Sequence, residues 1–328
     1  MPAYCILCRI SCRENDQITM TTAFYSHPDC QRHEMGSWHP ESPARLQAIA
    51  DQLILSRIDS FLQHREAPPA TLEDLARVHK PQAIALVQEN IPVAPEYYPL
   101  DGDTSLNSHS WRAALRAAGA AVAATDAVIA GEIDNAFCSI RPPGHHARPS
   151  EPMGFCLFNN VAIAARRALE VHGLKRVAII DFDVHHGNGT AEAFADEPRV
   201  LMVSFFQHPF YPYSGTTGPQ GANSVNVPVP AHSNGRVVRQ LVHEKWLPAL
   251  REHQPEMLFI SAGFDAHRED DIGGMALVEA DYAWITEELM MVAAEFAKGR
   301  IVSCLEGGYN LSALGRSVAA HIKTLASL

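Results

Sequence analysis

From residue 135 onward, short apolar runs rich in β-branched residues alternate with longer stretches of helical periodicity. Five runs predict buried strands: Asn135–Ile140, Arg176–Ile180, Val200–Phe205, Met257–Ser261 and Ile301–Leu305. Apolar residues recur at helical spacing over Asn160–Val171, Gly235–His253, Ala280–Ala297 and Leu311–Leu325. In Gly235–His253 the stripe is Val237, Val238, Leu241, Val242, Trp246 and Leu250. Upstream, Pro43–Leu55, Thr71–Val78, Pro81–Gln88 and Ser110–Ala130 also predict helices. Strands that alternate with helices imply parallel β-α-β crossovers and a layered α/β fold with a central parallel sheet. No internal repeat, low-complexity linker or boundary follows residue 20, so 20–328 reads as one domain.

The polar residues follow the strands. Arg141-Pro-Pro-Gly-His-His146 comes after the first strand, and Asp181, Asp183, His185 and His186 after the second. Gln207, His208, Tyr211 and Tyr213 follow the third, Gly263-Phe-Asp265 the fourth, and Glu306-Gly-Gly-Tyr-Asn310 the last. In a parallel sheet these loops share one edge, where ligands bind.

The strand ending at Asp181 runs into Phe182-Asp-Val-His-His186. Alternation places Asp181, Asp183 and His185 on one side, where two carboxylates and an imidazole suit a divalent metal. Asp265 is the best-placed third ligand beside Asp183 and His185, leaving a coordination position open for chemistry. Singly, Asp183 and Asp265 read equally well as helix caps or turn residues. His145 and His146 follow a stiff turn and suit proton transfer near neutral pH. Asp181 and Asn188 are in the right loop to orient a histidine base. Tyr309 follows two glycines and could stabilise an oxyanion, although a turn tyrosine is the default reading. Phe155 and Tyr211 could wall an apolar channel, or simply pack.

Net charge of −11 argues against a nucleic-acid backbone binder, which needs a basic face. It is compatible with a cationic substrate and equally with ordinary acidity. At 47% hydrophobic the chain can bury a large core. The nearest approach to a membrane span, Ala113–Ala130, is interrupted by Arg116 and Asp126 and reads as a helix of the interior. Without a long apolar leader, a cytoplasmic location is expected. Seven cysteines, scattered and odd in number, do not form a disulfide framework. Cys138 and Cys304 lie in strand-like runs as small core residues. Cys5, Cys8 and Cys12 have metal-like spacing without a fourth ligand, and residues 1–19 read as a disordered extension or a matter of start-site choice.

These residues resemble the zinc-dependent histone deacetylase family, in particular its class II-type and bacterial amidohydrolase-like members. The resemblance runs from about His27 to the C-terminus. It is carried by His39-Pro-Glu-Ser-Pro-Ala-Arg-Leu46, Asp101-Gly-Asp-Thr104, Arg141-Pro-Pro-Gly-His-His-Ala147 and Gly154-Phe-Cys156. The remaining motifs are Asp181-Phe-Asp-Val-His-His-Gly-Asn-Gly-Thr190, Ala262-Gly-Phe-Asp265 and Glu306-Gly-Gly-Tyr-Asn310, all in family order. The resemblance implies an arginase/deacetylase-type three-layer fold and one Zn2+ held by Asp183, His185 and Asp265. It implies a catalytic pair, His145 backed by Asp181 and His146 backed by Asn188, with His146 as general base and acid. It further implies Tyr309 on the substrate carbonyl, the Gly154 carbonyl on the amide N–H, and Phe155 and Tyr211 flanking an acyl-lysine tunnel. Arg45 would line an internal cavity for departing acetate, and K+ would lie near Asp181, Asp183, His185 and Ser204.

Asn188 stands where class I members carry Asp, and Tyr309 is the tyrosine of active members. Polyamine-selective relatives carry a gating glutamate where this chain has Ile272, although Glu269, Asp270 and Asp271 lie near it. The expected function is removal of acetyl or other short acyl groups from lysine side chains of proteins or related small amides. Acetylpolyamine deacetylation, a dinuclear manganese hydrolase and a non-catalytic acyl-lysine binder are the alternatives. No membrane or direct nucleic-acid partner is expected, and a homo-oligomer stays open.

Overall fold

The computed structural model describes residues 20–216 and 223–328. The reading of Cys5, Cys8, Cys12 and the N-terminal extension lies outside them. The strands are β1 (Thr22–Ser26), β2 (Gln63–Glu66), β3 (Tyr98–Pro99), β4 (Ser105–Leu106), β5 (Asn135–Cys138) and β6 (Val177–Asp181). They continue with β7 (Val200–Gln207), β8 (Ser224–Val229), β9 (Leu258–Ala262) and β10 (Ile301–Leu305). The helices are α1 (Ala44–Leu55), α2 (Leu72–Ala76), α3 (Pro81–Glu89), α4 (Ser110–Ala130) and α5 (Asn160–Glu170). After them come α6 (Asn188–Ala193), α7 (Gly235–Leu241), α8 (Leu247–His253), α9 (Glu279–Phe296) and α10 (Leu311–Leu325).

Eight strands form one sheet in the order β2-β1-β5-β10-β9-β6-β7-β8. Every pairing in it is parallel. The central strands β5, β6, β9 and β10 are buried throughout, as an all-parallel sheet covered on both faces requires. Helices α4 and α5 pack together, as do α1, α10 and α9. On the α10 side His321 bridges Thr286 Oγ1 at 2.7 Å and Ser303 Oγ at 2.9 Å. Burial lowers its pKa to about 3, so it is a neutral, doubly bonded core residue. Helix α4 is long and apolar enough to cross a membrane, but two thirds of that stretch, 67%, is buried inside the protein.

All five predicted strands are present, with ends shifted by up to two residues. Strands β1, β2 and β8 of this sheet, and the separate antiparallel pair β3-β4, were not predicted. Gly235–His253 is helical throughout but not uniform: a π-helical turn, Val242–Trp246, separates α7 from α8. Pro248 supplies no N–H to the helical ladder just beyond that turn. Cys30, Cys138, Cys156 and Cys304 are buried and free.

Candidate active site

The carboxyl ends of the central strands deliver the polar loops to one edge, as their sequence positions imply. Asp181 is the last residue of β6, and Asp183 and His185 stand in the bends that follow. The local turn is self-bonded: Asp183 N–H donates to Asp181 Oδ1 at 3.1 Å and His185 N–H to Asp183 Oδ1 at 2.9 Å. Asp183 and His185 therefore meet through loop geometry and not through the expected strand alternation, because β6 ends at Asp181. Asp265, beyond β9, closes the group.

One ligand atom each from Asp183, His185 and Asp265 lies within 4.8 Å of the others, and all three residues are buried. The packing around them is tight. A Cβ on Gly263 would sit 2.1 Å from Asp183 Oδ2, and one on Gly307 would sit 2.0 Å from Asp265 Oδ2. Asp265 Oδ2 accepts no hydrogen bond, although His185 Nδ1 approaches it to 3.2 Å. The same nitrogen lies 2.9 Å from Asp183 Oδ1. Burial and the neighbouring Asp183 carboxylate push Asp265 up to about 7. An orphaned buried carboxylate oxygen beside a second carboxylate and an imidazole is a donor set that a divalent cation satisfies.

The histidine pair approaches from the loop after β5. His145 Nδ1 lies 2.9 Å from Asp181 Oδ2, and His146 Nδ1 lies 2.7 Å from Asn188 Oδ1. Burial works against a charge on His145, but the Asp183 and Asp181 carboxylates outweigh it and raise its pKa well above the usual value. Burial, reinforced by the His145 and His185 imidazoles, drives His146 well below it. The Asn188 amide nitrogen faces Met153 Sδ at 3.3 Å, which leaves its oxygen to accept from His146 Nδ1. Neutral His146 thus carries its proton on Nδ1 and keeps the Nε2 lone pair free.

Glu306 supports this loop from beneath. Its Oε2 accepts from Gly144 N–H at 2.6 Å and His145 N–H at 3.1 Å, and its Oε1 from Ser261 Oγ at 3.2 Å. Burial raises its pKa to about 7. Next to it, Gly307 N–H donates to Asp183 Oδ2 at 2.9 Å.

Of these groups His146 and His185 reach a cavity of about 230 Å³ lined also by Asp103, Gly154, Phe155, Phe210, Tyr211, Ile272 and Tyr309. Gly154 has φ +55°, and a Cβ there would lie 2.6 Å from His146 Cδ2 and 3.0 Å from Tyr211 Oη. Phe155 also takes a left-handed conformation, φ +67°, and its N–H donates to Thr104 Oγ1 at 3.0 Å. Its ring meets Tyr309 edge-on at 5.9 Å and His39 at 4.6 Å. Phe210 stacks on His185 at 5.2 Å. Burial and the Asp265 carboxylate hold the Tyr309 phenol well above its usual pKa, so it is a donor.

The structure brings together the predicted residues His145, His146, Asp181, Asp183, His185, Asn188, Asp265, Tyr309, Gly154, Phe155 and Tyr211. Arg45 is not among the cavity's lining residues. It is buried, with Nε donating to Gly308 O at 2.7 Å, Nη1 to Glu41 Oε1 at 2.9 Å and Nη2 to Glu306 O. Ser204 turns its hydroxyl to Asn226 Oδ1 at 2.7 Å, and no contact here adds support for potassium. His186 supports its loop through Ser214 Oγ at 2.7 Å. The acidic rim near Ile272 is smaller than the sequence suggests. Glu269 pairs with Arg316 at 2.8 Å, and Asp270 is turned inward, leaving Asp271 exposed. Sequence reasoning gave no role to Phe210 or Glu306, and it placed Asp270 on an acidic rim, whereas the buried carboxylate bonds backbone N–H groups; Phe210, adjacent to Tyr211, was the most accessible of the three.

A family model described as histone deacetylase domain matches residues 39–325. The chain is 37% identical over 307 residues to Histone deacetylase 14, chloroplastic, of Arabidopsis thaliana, covering 88% of this chain and 73% of that protein. It is 35% identical over 316 residues to a histone deacetylase-like amidohydrolase of Pseudomonas aeruginosa, covering 89% and 83% respectively. A probable deacetylase of Archaeoglobus fulgidus is 36% identical over 301 residues, covering 89% of this chain and 82% of the relative. The crystal structure of the HDA15 HD domain superposes with a TM-score of 0.87 at 34% identity, over 94% of this chain and 89% of that one.

Proposed function

This chain belongs to the histone deacetylase family, and we propose that it is a zinc-dependent amidohydrolase removing acetyl or other short acyl groups from lysine side chains or related small amides. One observation carries the reading: the Asp183–His185–Asp265 cluster, neutral His146 and the Tyr309 phenol meet at one narrow apolar cavity. At about 230 Å³ it is smaller than the roughly 300–1,000 Å³ of drug-sized sites. That suits a single extended alkyl chain ending in a small acyl group.

Asp183, His185 and Asp265 would hold the zinc, which when bound supplies Lewis acidity toward the acyl carbonyl and lowers the pKa of water. His146 Nε2 takes the proton from the attacking water, since Nδ1–H is committed to Asn188. The Tyr309 hydroxyl donates to the carbonyl oxygen as negative charge develops there. The Gly154 carbonyl accepts the amide N–H, and Phe155 and Tyr211 keep the alkyl chain between their rings. His146 then returns the proton to the leaving nitrogen as the C–N bond breaks, giving acetate and free amine.

Ile272 stands at the position where polyamine-selective relatives carry a glutamate, so among the described residues the one carboxylate lining the cavity is Asp103. Lysine-bearing peptides are therefore the expected substrates. Purified, zinc-loaded protein should release acetate faster from an acetyl-lysine peptide than from acetylputrescine at equal concentration. The reverse preference would establish the polyamine reading. No turnover of acetyl-, trifluoroacetyl- or longer acyl-lysine would leave a binding protein.

A further inference from the structure

The Asp270 carboxylate accepts four backbone hydrogen bonds and, among the described residues, has no ion pair. Its Oδ2 accepts from Tyr309 N–H at 2.6 Å and Asn310 N–H at 3.1 Å. Its Oδ1 accepts from Ile272 N–H at 2.9 Å and Gly273 N–H at 3.3 Å. The carboxylate is buried, with 9% of the residue exposed. Each oxygen therefore grips one loop: the loop bearing Tyr309 and the loop bearing Ile272, both of which line the cavity.

The loop before Tyr309 is held from outside: Gly307 N–H donates to Asp183 Oδ2 at 2.9 Å, and Arg45 donates to Gly308 O at 2.7 Å and to Glu306 O, but none of these bonds reaches Tyr309 itself. Gly307 and Gly308 precede the phenol, and Gly308 has φ +121°. Two successive glycines leave this backbone unusually free unless it is anchored from outside. The Tyr309 ring meets Phe155 edge-on at 5.9 Å and the Arg45 guanidinium at 5.1 Å, contacts that restrain its tilt only weakly. Asp270 holds the Tyr309 amide itself, and Asn310 then caps α10 by accepting from Ala313 N–H at 3.0 Å. At Tyr309 itself the anchor is Asp270, whose buried carboxylate accepts from the backbone N–H in a charge-assisted bond.

We propose that Asp270 is a positioning residue for the reaction: it fixes the Tyr309 hydroxyl in register with the cavity floor and ties that register to the Ile272 wall. The inference rests on the oxyanion role given to Tyr309 above. Asp270 touches no substrate; it acts through the tyrosine.

The test is a double-mutant cycle of Asp270→Asn and Tyr309→Phe in the zinc-loaded protein. Single-turnover hydrolysis of an acetyl-lysine peptide, KM and bound metal are measured for each variant. Asp270→Asn keeps the size but turns an NH2 group toward one pair of N–H donors. It should lower the hydrolysis rate roughly ten- to hundredfold. KM should change less than about threefold and zinc content should stay at the parent level. In the Tyr309→Phe background the same substitution should cost less than about threefold, because the group it positions is already gone. Equal losses in both backgrounds would overturn the inference and leave the Tyr309 role intact. Full activity of Tyr309→Phe alone would remove both. If Asp270→Asn does not fold, Asp270→Ser, which keeps one hydroxyl acceptor, enters the same cycle with the same criteria.

Discussion

At Gly154 the backbone itself forms the cavity wall, with His146 closer than a Cβ allows and Tyr211 in tight contact. Gly154→Ala combines that clash with a left-handed φ worth about 1–2 kcal/mol of strain. The expected outcome is a fall of at least about tenfold in kcat/KM with zinc content unchanged, read from steady-state kinetics and elemental analysis. Tyr309→Phe removes one donor from the developing oxyanion. Its kcat should drop by about 10²–10³ while zinc stays bound. Parent-level kcat in that variant would refute the assignment. The histidine pairs, Asp183 and Asp265 were legible because several chemically costly residues share one strand edge. Glu306 and Asp270 were not. Their carboxylates accept from backbone N–H groups of loops far away in sequence, and nothing in a residue's identity announces such a contact.

Among the elements, the helix α1 and the loop after β5 are joined by a buried charge cluster. Glu41 bonds Arg45 Nη1 at 2.9 Å and Arg141 Nη2 at 2.6 Å, and also contacts Arg141 Nε. Arg141 Nη1 reaches the Cys30 and His33 carbonyls, both at 2.9 Å. Arg45 anchors the Tyr309 loop and Arg141 the root of the His145–His146 loop, so one carboxylate orders both. Burial works against the charge on Glu41, but Arg141 and Arg45 outweigh it and bring its pKa down to about 2. A depressed folded pKa gives stability that is complete above the unfolded value and lost as pH falls through the folded one. Glu41→Gln should therefore destabilise the protein at pH 7 by about 3–5 kcal/mol, since two buried arginines lose their partner. The gap between parent and variant, measured as urea midpoints, should narrow as pH falls from about 4.5 toward 2. Parallel pH profiles would contradict this. The unpredicted strands have physical reasons too. The edge strand β2, Gln63–Glu66, is polar and mostly exposed. Strand β1 is short, with only three apolar residues in its core-facing run. The other edge strand, β8, carries Pro228, a residue tolerated at an edge but not in a central strand. Its alternating Val225, Val227 and Val229 were the signal that could have found it.

At the scale of the whole molecule the fold is the arginase/deacetylase fold, a parallel sheet flanked by helices with its reactive loops on one edge. The layered α/β architecture followed from the alternation of strands and helices, whereas the strand order, with β10 between β5 and β9, did not. That order is what carries the Tyr309 loop to both the histidine pair and the aspartates. The charge of −11 fits a protein that does not grip a nucleic-acid backbone. If the buried Asp183–His185–Asp265 cluster is a catalytic zinc site, as proposed, removing the metal must abolish hydrolysis. Acetate release from an acetyl-lysine peptide is followed before chelation, after chelation, and during titration with zinc. Activity should vanish in the metal-free protein and return in full at one zinc per chain. Undiminished hydrolysis by the metal-free protein would show that the cluster is not a catalytic metal site.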